Sequence, residues 1–280
     1  MKSNVLLFVC DDLRWNALSG MGHPEVKTPH IDQLMTDGAS FTRCYMPGGS
    51  DGAVCMPSRA MLHTGRSLFE IDREGQEIPE GHTSIGQHLQ LHGYNCFHTG
   101  KWHNGVASFA RSFNDGDEIF FGGMGDQYNM PLHRFDPSGR YESRIARAPD
   151  AFHSKELEFQ SGDHTSDGKH ATDVFIDAAD SYIRRRQDSD TPFLLSIALT
   201  APHDPRTAPP NFHEQYNPED TTLPENFLAY HPHQTGALNS RDENLASHPR
   251  KPEEIKEHIA DYHAMIAHLD EGLGKLSQAL

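Results

Sequence analysis

Short apolar runs punctuate the chain and predict its β-strands. Residues 5–10 form a continuous apolar run, the pattern of a parallel strand that is buried on both faces, and residues 193–199 predict another apolar strand. Residues 94–99 predict a third strand, which ends just before a Gly-Lys-Trp-His segment. Residues 41–46 predict a further short strand, and the Gly-rich residues 47–52 a loop.

Apolar residues at steps of three and four predict the helices between these strands. Thr28 and Pro29 suit an N-cap and a first helical residue, and Gly38 ends the helix that they open. The apolar stripe of this helix consists of Ile31, Leu34 and Met35. A second helix is predicted over residues 83–92, closed by Gly93.

Two longer helices are predicted in the second half of the chain. Residues 171–186 place Phe175, Ala179 and Ile183 on one face. From Pro252 onward, apolar residues alternate between steps of four and three, which predicts a long amphipathic helix. Its stripe is formed by Ile255, Ile259, Tyr262, Ile266, Leu269, Leu273 and Leu276.

Strands that alternate with helices predict an α/β fold, with a mostly parallel central sheet and helices on both faces. We expect one domain over residues 1–280. Residues 105–170 and 205–250 show no convincing period and are expected to be loop-rich insertions around a pocket. In sheets of this kind, ligands bind beyond the carboxyl ends of the strands.

Composition excludes two classes of partner. The 280 residues are 36% hydrophobic and 23% charged, which indicates a soluble globular protein with enough material for a core. No apolar run approaches the ~20 residues that span a bilayer, so we expect no membrane span. The formal net charge of -16 would repel the phosphates of DNA or RNA, so we expect no nucleic-acid partner.

The cysteines and the N-terminus bear on the compartment. Cysteines at positions 10, 44, 55 and 96 show neither zinc spacing nor the density of a disulfide scaffold. The apolar run at 5–10 is too short for a signal-peptide core. The sequence as written therefore predicts a cytoplasmic protein, or a periplasmic or secreted one if an export signal has been removed.

The segment from Cys55 to Arg66, CMPSRAMLHTGR, carries the strongest chemical signal. Pro57 suits the start of a helix, where its missing N–H costs nothing, so Cys55 lies at the positive end of that helix. Arg59, four positions on, can reach the same place. Such an end binds anions and stabilises a negatively charged nucleophile. A lone cysteine is more often a small buried hydrophobe, so the neighbouring residues decide the case.

Polar residues follow three of the predicted strands. Asp11 and Asp12 are adjacent carboxylates that repel each other unless a cation lies between them, and hard oxygen ligands select Ca²⁺ or Mg²⁺. Lys101 and His103 point the same way in an extended segment, so both can address one anion. Prolines on both sides of His203 restrict the backbone there, as positioning a catalytic imidazole requires.

Taken together, these segments resemble the type I, Cys-type sulfatases of the alkaline phosphatase superfamily. The matching motifs are D-D-L at 11–13, C-x-P-S-R at 55–59, L-x-T-G-R at 62–66, G-K-W-H-x-G at 100–105 and P-H-x-P at 202–205. The resemblance implies that a formylglycine-generating enzyme converts Cys55 to formylglycine, whose hydrated aldehyde attacks the sulfur of a sulfate ester. It also implies that Asp11 and Asp12 bind a divalent cation, usually Ca²⁺ with Mg²⁺ as the alternative, which holds residue 55 as well.

The same resemblance assigns roles to the basic residues. Arg59 and Lys101 would bind the sulfate and offset its charge. His103 would handle the proton of the formylglycine diol. His203 would contact the sulfate and protonate the leaving alkoxide.

The function implied is hydrolysis of a sulfate monoester, with a sulfated small molecule or glycan, most often a carbohydrate sulfate, as the substrate. One alternative is a phosphonate monoester or phosphodiester hydrolase, because these use the same C-x-P-S-R site. An unmodified Cys55 thiolate is a weaker alternative, because the segment lacks the arginine spacing of thiolate phosphatases.

The resemblance covers only the N-terminal portion of the family fold. The family's S-D-H-G or S-D-N-G segment, with the remaining metal ligands, has no counterpart up to Leu280. We therefore expect residues 1–280 alone to be weakly active, and a second chain to be a candidate partner. A non-catalytic product of a truncated gene, or one half of a two-chain enzyme, stays open.

Overall fold

A parallel sheet lies at the centre of the computed structural model, which describes residues 2–45, 54–71, 75–150, 153, 155–233 and 242–280. In chain order the strands are β1 (Val5–Val9), β2 (Asn95–Lys101), β3 (Asp115–Phe120), β4 (Pro131–Leu132), β5 (Arg144–Arg147), β6 (Glu158–Ser161), β7 (His164–Thr165) and β8 (Phe193–Ala198). The central sheet has the order β1-β8-β2-β3, and each adjacent pair is parallel. The pairs β4–β7 and β5–β6 are antiparallel.

Helices cover both faces of this sheet, as the sequence predicts. They are α1 (Pro29–Asp37), α2 (Cys55–Thr64), α3 (Ile85–Leu91), α4 (Val106–Ser112), α5 (Ala171–Arg185), α6 (Pro210–His213) and α7 (Pro252–Ala279). Phe97, Leu195 and Ile197 point to the face covered by α5 and α7. Cys96 and Leu194 point to the opposite face, against α2 and α4. No helix within the described ranges has an apolar stretch that could cross a bilayer.

Helix α1 packs on α7 through a polar contact rather than through its whole predicted stripe. Leu34 is 50% exposed, and Ile31 is the stripe residue that joins the main core. The buried carboxylate of Asp270 accepts hydrogen bonds from the N–H groups of His30 and Ile31, at 3.2 and 2.8 Å. Asp270 therefore satisfies free N–H groups at the start of α1 and joins the two helices.

The strand predicted for residues 41–46 is wrong over its described part. Residues 41–45 form a turn, and the side chains of Phe41 and Tyr45 are 86% and 82% exposed. Aromatic residues favour strands because they pack on a half-buried sheet surface, and here that burial is missing. Residue 46 and the predicted loop at 47–52 lie outside the described residues.

The region 105–170 contains more regular structure than the predicted loop-rich insertion. Helix α4 and strand β3 lie within it, and β3 is part of the central sheet. This strand has the sequence DGDEIF, of which only Ile119 and Phe120 are buried. An edge strand whose first half is polar has no apolar run, so the sequence pattern did not reveal it. In region 205–250, the described residues include α6 and the short 3₁₀ helices Pro218–Asp220 and Asp242–Leu245.

Strand β2 continues past its predicted end to Lys101, and Gly100 makes this continuation possible. Gly100 has a φ of 95°, and a Cβ atom there would lie 2.1 Å from the carbonyl oxygen of Ala198 in β8. The register between β2 and β3 also shifts between His98 and Gly100. Glycine is thus required for β2 to stay against β8 while Lys101 reaches the carboxyl edge.

Candidate active site

The sheet brings polar residues from distant parts of the chain to one edge. Asp11 and Asp12 follow β1, Lys101 ends β2, and His203 follows β8. Arg59 reaches the same edge from α2, and its side chain is buried. The carboxyl ends of parallel strands meet at one edge, which is where open α/β sheets bind their ligands.

Asp11 is the centre of a buried charge cluster. Its Oδ2 atom lies 2.5 Å from Nζ of Lys101, and its Oδ1 atom lies 3.4 Å from Nη2 of Arg59. Its backbone N–H donates to the carbonyl oxygen of Ala201, at 3.1 Å. One carboxylate thus faces two cations, which leaves an excess of positive charge suited to an anion.

The guanidinium group of Arg59 is held by backbone carbonyls. Nη1 donates to the carbonyl oxygen of Lys101 at 2.9 Å, and Nη2 to that of Leu199 at 3.4 Å. The buried Nε atom has no hydrogen-bond partner among the described residues. Because a buried N–H without a partner is costly, this donor marks a place for an acceptor oxygen.

Lys101 is fully buried, and the loop after β3 closes over it. Its Nζ atom donates to the carbonyl oxygen of Gly123 at 2.5 Å as well as to Asp11. A Cβ atom on Gly123 would lie 2.9 Å from the ring of His103, so a larger residue here would displace that ring. An ammonium group has three N–H donors, so one remains beyond these two contacts.

Cys55 is the first residue of α2, and its thiol faces His103. The Sγ atom lies 3.4 Å from Nδ1 of His103. Burial, together with the charges of Lys101 and Arg59, lowers the pKa of His103 to about 4. At neutral pH the imidazole beside Cys55 is therefore uncharged and able to accept a proton.

His203 is held between two carboxylates. Its Nδ1 atom lies 2.9 Å from the carbonyl oxygen of Asp204 and 3.0 Å from Oδ1 of the same residue. Its Nε2 atom lies 3.5 Å from Oδ2 of Asp12. Because Nδ1–H donates to Asp204, Nε2 is the nitrogen that faces the site.

Asp12 has left-handed backbone geometry, with a φ of 61°. The hydroxyl of Tyr262 in α7 donates to the carbonyl oxygen of Asp12 at 2.8 Å and accepts from the N–H of Arg14 at 2.9 Å. Partial burial raises the pKa of Asp12 above its usual value. The charge of Asp11 adds to this rise, and His203 opposes it. Tyr262 thus fixes the turn that presents the second carboxylate.

The predicted metal ligands fit one side of a cation site and do not complete it. Asp11 and Asp12 offer hard carboxylate oxygens at adjacent positions, which suit Ca²⁺ or Mg²⁺. Asp11 is already paired with Lys101 and Arg59. Within the part of the chain that the structure describes, no group of three His, Cys, Asp or Glu side chains could hold a metal ion.

All the site residues predicted from the sequence lie in this one region, but some groups that position them were missed. The carbonyl of Gly123, the side chain of Asp204 and the hydroxyl of Tyr262 each contact a predicted site residue. Asp204 lies inside the P-H-x-P motif, at the position that the motif leaves open. The other two had no sequence signal, because their contacts depend on how the loop and α7 fold back onto the edge.

A cleft of about 550 Å³ opens beside these residues. Pro205, two residues after His203, lies on its wall. A smaller cavity of about 240 Å³ is lined in part by His103 and shares Phe121 and Gly122 with the cleft. The two cavities are therefore adjacent, and the smaller one borders the imidazole next to Cys55.

A family model described as Sulfatase matches residues 3–280. The chain belongs to the sulfatase family. This confirms the resemblance and places the chain in the alkaline phosphatase superfamily. The family relationship extends along nearly the whole sequence, so it includes every element that contributes to the site.

Two curated sulfatases are about a quarter identical to this chain over the aligned residues. An ulvan-active sulfatase of Formosa agariphila is 25% identical over 98% of this chain and 46% of its own length. An arylsulfatase of Clostridium perfringens is 26% identical over 100% of this chain and 60% of its own length. The chain thus spans about half the length of the curated relatives it matches.

Solved structures have the same fold. The crystal structure of Ps i-CgsB in complex with k-i-k-neocarrahexaose superposes with a TM-score of 0.68 and 20% identity, over 100% of this chain and 55% of that chain. A phosphonate monoester hydrolase of Agrobacterium radiobacter gives a TM-score of 0.67 and 19% identity, over 100% of this chain and 59% of that chain. These matches confirm the predicted alkaline phosphatase-like architecture.

Proposed function

We propose that the protein hydrolyses a sulfate monoester and that its substrate is a sulfated carbohydrate. The observation that carries this proposal is the convergence of Arg59, Lys101 and His203 beside the Cys55–His103 pair. Family membership supports the reaction, and the ulvan-active relative supports the substrate class. Because the chain spans about half the length of its relatives, the proposal concerns the whole protein.

Arg59 and Lys101 bind the sulfate group in this proposal. Their charges exceed that of Asp11 by one, and the Nε atom of Arg59 and the third N–H of Lys101 are available as donors. Both side chains are buried and fixed by backbone carbonyls. Donors that are already in place need no rearrangement as negative charge develops on the sulfate oxygens.

His103 acts on the proton of the nucleophile. A formylglycine at position 55, made from Cys55 by a maturation enzyme, would supply a hydrated aldehyde as the attacking group. In the structure the Sγ atom marks the position of residue 55, and Nδ1 of His103 lies 3.4 Å from it. An imidazole with a pKa of about 4 is neutral at pH 7 and can take up that proton.

His203, in its doubly protonated imidazolium form, gives the proton on Nε2 to the leaving oxygen and keeps the Nδ1 proton, which is hydrogen-bonded to Asp204. Asp204 holds Nδ1, so the ring presents Nε2 to the site from the side of Asp12. A sugar alkoxide is a poor leaving group, and protonation as the S–O bond breaks makes its departure easier. His203 thus acts on the opposite end of the scissile bond from His103.

Asp11 and Asp12 would hold a divalent cation, with Ca²⁺ favoured over Mg²⁺. Such an ion would supply further positive charge next to the sulfate oxygens. Two carboxylates are fewer than the six or more oxygens that Ca²⁺ takes. We propose that the remaining ligands come from the part of the family fold that this chain does not span or from a second chain.

The mass of the peptide that contains residue 55, measured together with turnover, tests this proposal. After co-expression with a formylglycine-generating enzyme, we expect the peptide to lose about 18 mass units, unlike the mass gains of ordinary thiol oxidation. We also expect an aryl sulfate to be hydrolysed faster than a phosphonate monoester or a phosphodiester. Full activity with an unmodified thiol would contradict the mechanism, and faster phosphonate hydrolysis would favour the alternative activity.

A further inference from the structure

The cleft beside the active site has one cationic side chain among its described lining residues. Arg147, in β5, lies on the wall of the cleft. No described carboxylate lies within 4 Å of its guanidinium group. The one acidic residue of the described lining, Asp126, accepts hydrogen bonds from the N–H of Tyr128 at 2.9 Å and from Nδ2 of Asn129 at 3.1 Å. Hydrogen bonds from Asn129 and from its own turn lower the pKa of Asp126, and the charge of Arg147 lowers it further. The two side chains form no ion pair among the described residues, so the guanidinium donors of Arg147 stay available to a ligand.

The β5–β6 pair turns Arg147 toward the cleft. Successive side chains of a strand point to opposite faces, so Ile145 and Arg147 share one face and Arg144 lies on the other. Ile145 pairs with Gln160, which also lines the cleft. The Ile145 side chain lies against Gly162, which places this face of the hairpin toward the body of the protein. Arg144 and Arg147 are both exposed, and Arg144 lies on the outer face.

The rest of the lining combines polar groups with an apolar floor. Phe121 and Met124 form part of the floor. Gln160 and Ser161 lie on the wall, and the hydroxyl of Ser161 is 2.9 Å from Nε2 of His133, which orients it. Amide and hydroxyl groups above aromatic and thioether surface suit a ligand with many hydroxyls and apolar ring faces.

We propose that this cleft binds the saccharide part of the substrate and that Arg147 recognises a second anionic group on it, either a carboxylate or a further sulfate. The inference rests on the proposed function, because the cleft is a substrate site only if the ester is cleaved beside His103. A volume of about 550 Å³ exceeds what one sulfate group needs. Guanidinium groups bind carboxylate and sulfate oxygens through paired N–H donors. In a chain of net charge -16, such a local cation is needed to hold a multiply charged ligand.

A kinetic comparison of Arg147→Ala with Arg144→Ala tests the assignment in the matured protein. The substrates are 4-nitrophenyl sulfate, a monosulfated neutral disaccharide, a sulfated disaccharide with a uronate, and a disulfated disaccharide. We expect Arg147→Ala to lower kcat/KM for the last two roughly ten- to a hundredfold more than for the first two, the range of a lost charge-assisted contact. Arg144→Ala, on the outer face of the same strand, should leave all four unchanged.

The pattern of losses identifies the anionic group. A selective loss of kcat/KM on the uronate disaccharide indicates that Arg147 binds a carboxylate. A selective loss on the disulfated disaccharide indicates that it binds a second sulfate. Either result supports the proposal. An equal loss on all four substrates, or none, would overturn it.

A binding measurement separates this inference from the proposed reaction. Protein made without the maturation enzyme keeps the Cys55 thiol, so binding of the disulfated and uronate disaccharides can be followed by calorimetry without turnover. We expect Arg147→Ala to raise Kd for at least one of them about tenfold or more, and Arg144→Ala to leave Kd unchanged. Unchanged affinity in Arg147→Ala would overturn the inference. If Arg147→Ala raises Kd strongly but the matured wild type cleaves no sulfate ester, the cleft assignment is retained and the proposed reaction is rejected.

Discussion

The ammonium group of Lys101 lies 2.5 Å from Oδ2 of Asp11, and both side chains are almost fully buried. Arg59 approaches the other oxygen of the same carboxylate at 3.4 Å. Removing one member of a buried ion pair leaves a charge that neither water nor a partner compensates. The carboxylate of Asp11 therefore stabilises two buried cations in addition to any role as a metal ligand.

This arrangement predicts different effects for the two adjacent carboxylates. Asp11→Asn should lower the free energy of unfolding by roughly 3–5 kcal/mol, because Lys101 and Arg59 then lack a counter-charge. Asp12→Asn should change it by less than about 1 kcal/mol, because the Asp12 side chain is 59% exposed and its ion-pair partner among the described residues is His203, at 3.5 Å. Both should abolish turnover. Urea unfolding in the absence of divalent ions measures the difference, and equal stability of the two variants would contradict the role of Asp11.

Lys101 and His203 should differ in their dependence on the leaving group. Lys101→Ala removes positive charge from the anion site and should slow every sulfate ester to a similar extent. His203→Ala should slow alkyl sulfates roughly a hundredfold or more relative to aryl sulfates, because a phenolate leaves without protonation. The ratio of kcat/KM for the two ester classes is the measurement. An unchanged ratio in His203→Ala would remove this residue from the acid role.

Tyr262 should matter for activity although it is remote from the sulfate. Tyr262→Phe removes the hydroxyl that joins the carbonyl of Asp12 to the N–H of Arg14, so the turn that presents Asp12 loosens. We expect kcat to fall roughly tenfold with little change in KM, and stability to fall by about 1 kcal/mol. Tyr216→Phe is the matched control, because its hydroxyl contacts only the backbone of Lys27. Equal kcat in both variants would show that Asp12 needs no such support.

A buried histidine in α2 predicts acid sensitivity. Burial, together with the charge of Arg59, lowers the pKa of His63 from 6.5 to about 3. Between pH 6.5 and about pH 3, His63 binds a proton in the unfolded chain but not in the folded chain. The free energy of unfolding therefore falls as the pH falls. For His63 alone the loss between pH 7 and pH 5 is about 2 kcal/mol. His63→Leu should reduce the pH dependence of unfolding by that amount, and the exposed His92→Leu should not.

The chain alone is expected to be a weak enzyme even when it carries formylglycine. The described residues offer two carboxylates to a cation, so water would fill most of its coordination sphere and hold it loosely. With excess calcium and an aryl sulfate, we expect turnover far below the roughly 10 per second of ordinary enzymes. Ordinary turnover by a monomer of residues 1–280 would show that no further ligands are required.

The central part of the fold could be predicted because it depends on local patterns. β1 and β8 are mostly apolar segments, and α7 carries a regular stripe of apolar residues, so the local sequence predicts each of these elements. The site residues could be located because they lie in short motifs, at or after the ends of strands or in the first turns of α2. Strand β3 could not be predicted in this way, because only Ile119 and Phe120 are buried and its pairing with β2 supplies what its sequence lacks.

Long-range contacts account for the other missed features. The link from Tyr262 to Asp12 and the cap of Asp270 on α1 each join residues more than two hundred positions apart. The limit on side-chain size at Gly123 depends on the nearby ring of His103. Such relationships follow from packing geometry, which no local pattern in one sequence specifies.

Burial of the α2 segment also sets an order of events in biosynthesis. Pro57 and Arg59 are both buried once α2 packs against the sheet, and they belong to the five-residue stretch that the proposed maturation enzyme would recognise. Such an enzyme could reach these side chains only while the chain is still unfolded. In the proposed maturation, conversion of Cys55 would therefore compete with folding, and a chain that folds first would keep its thiol.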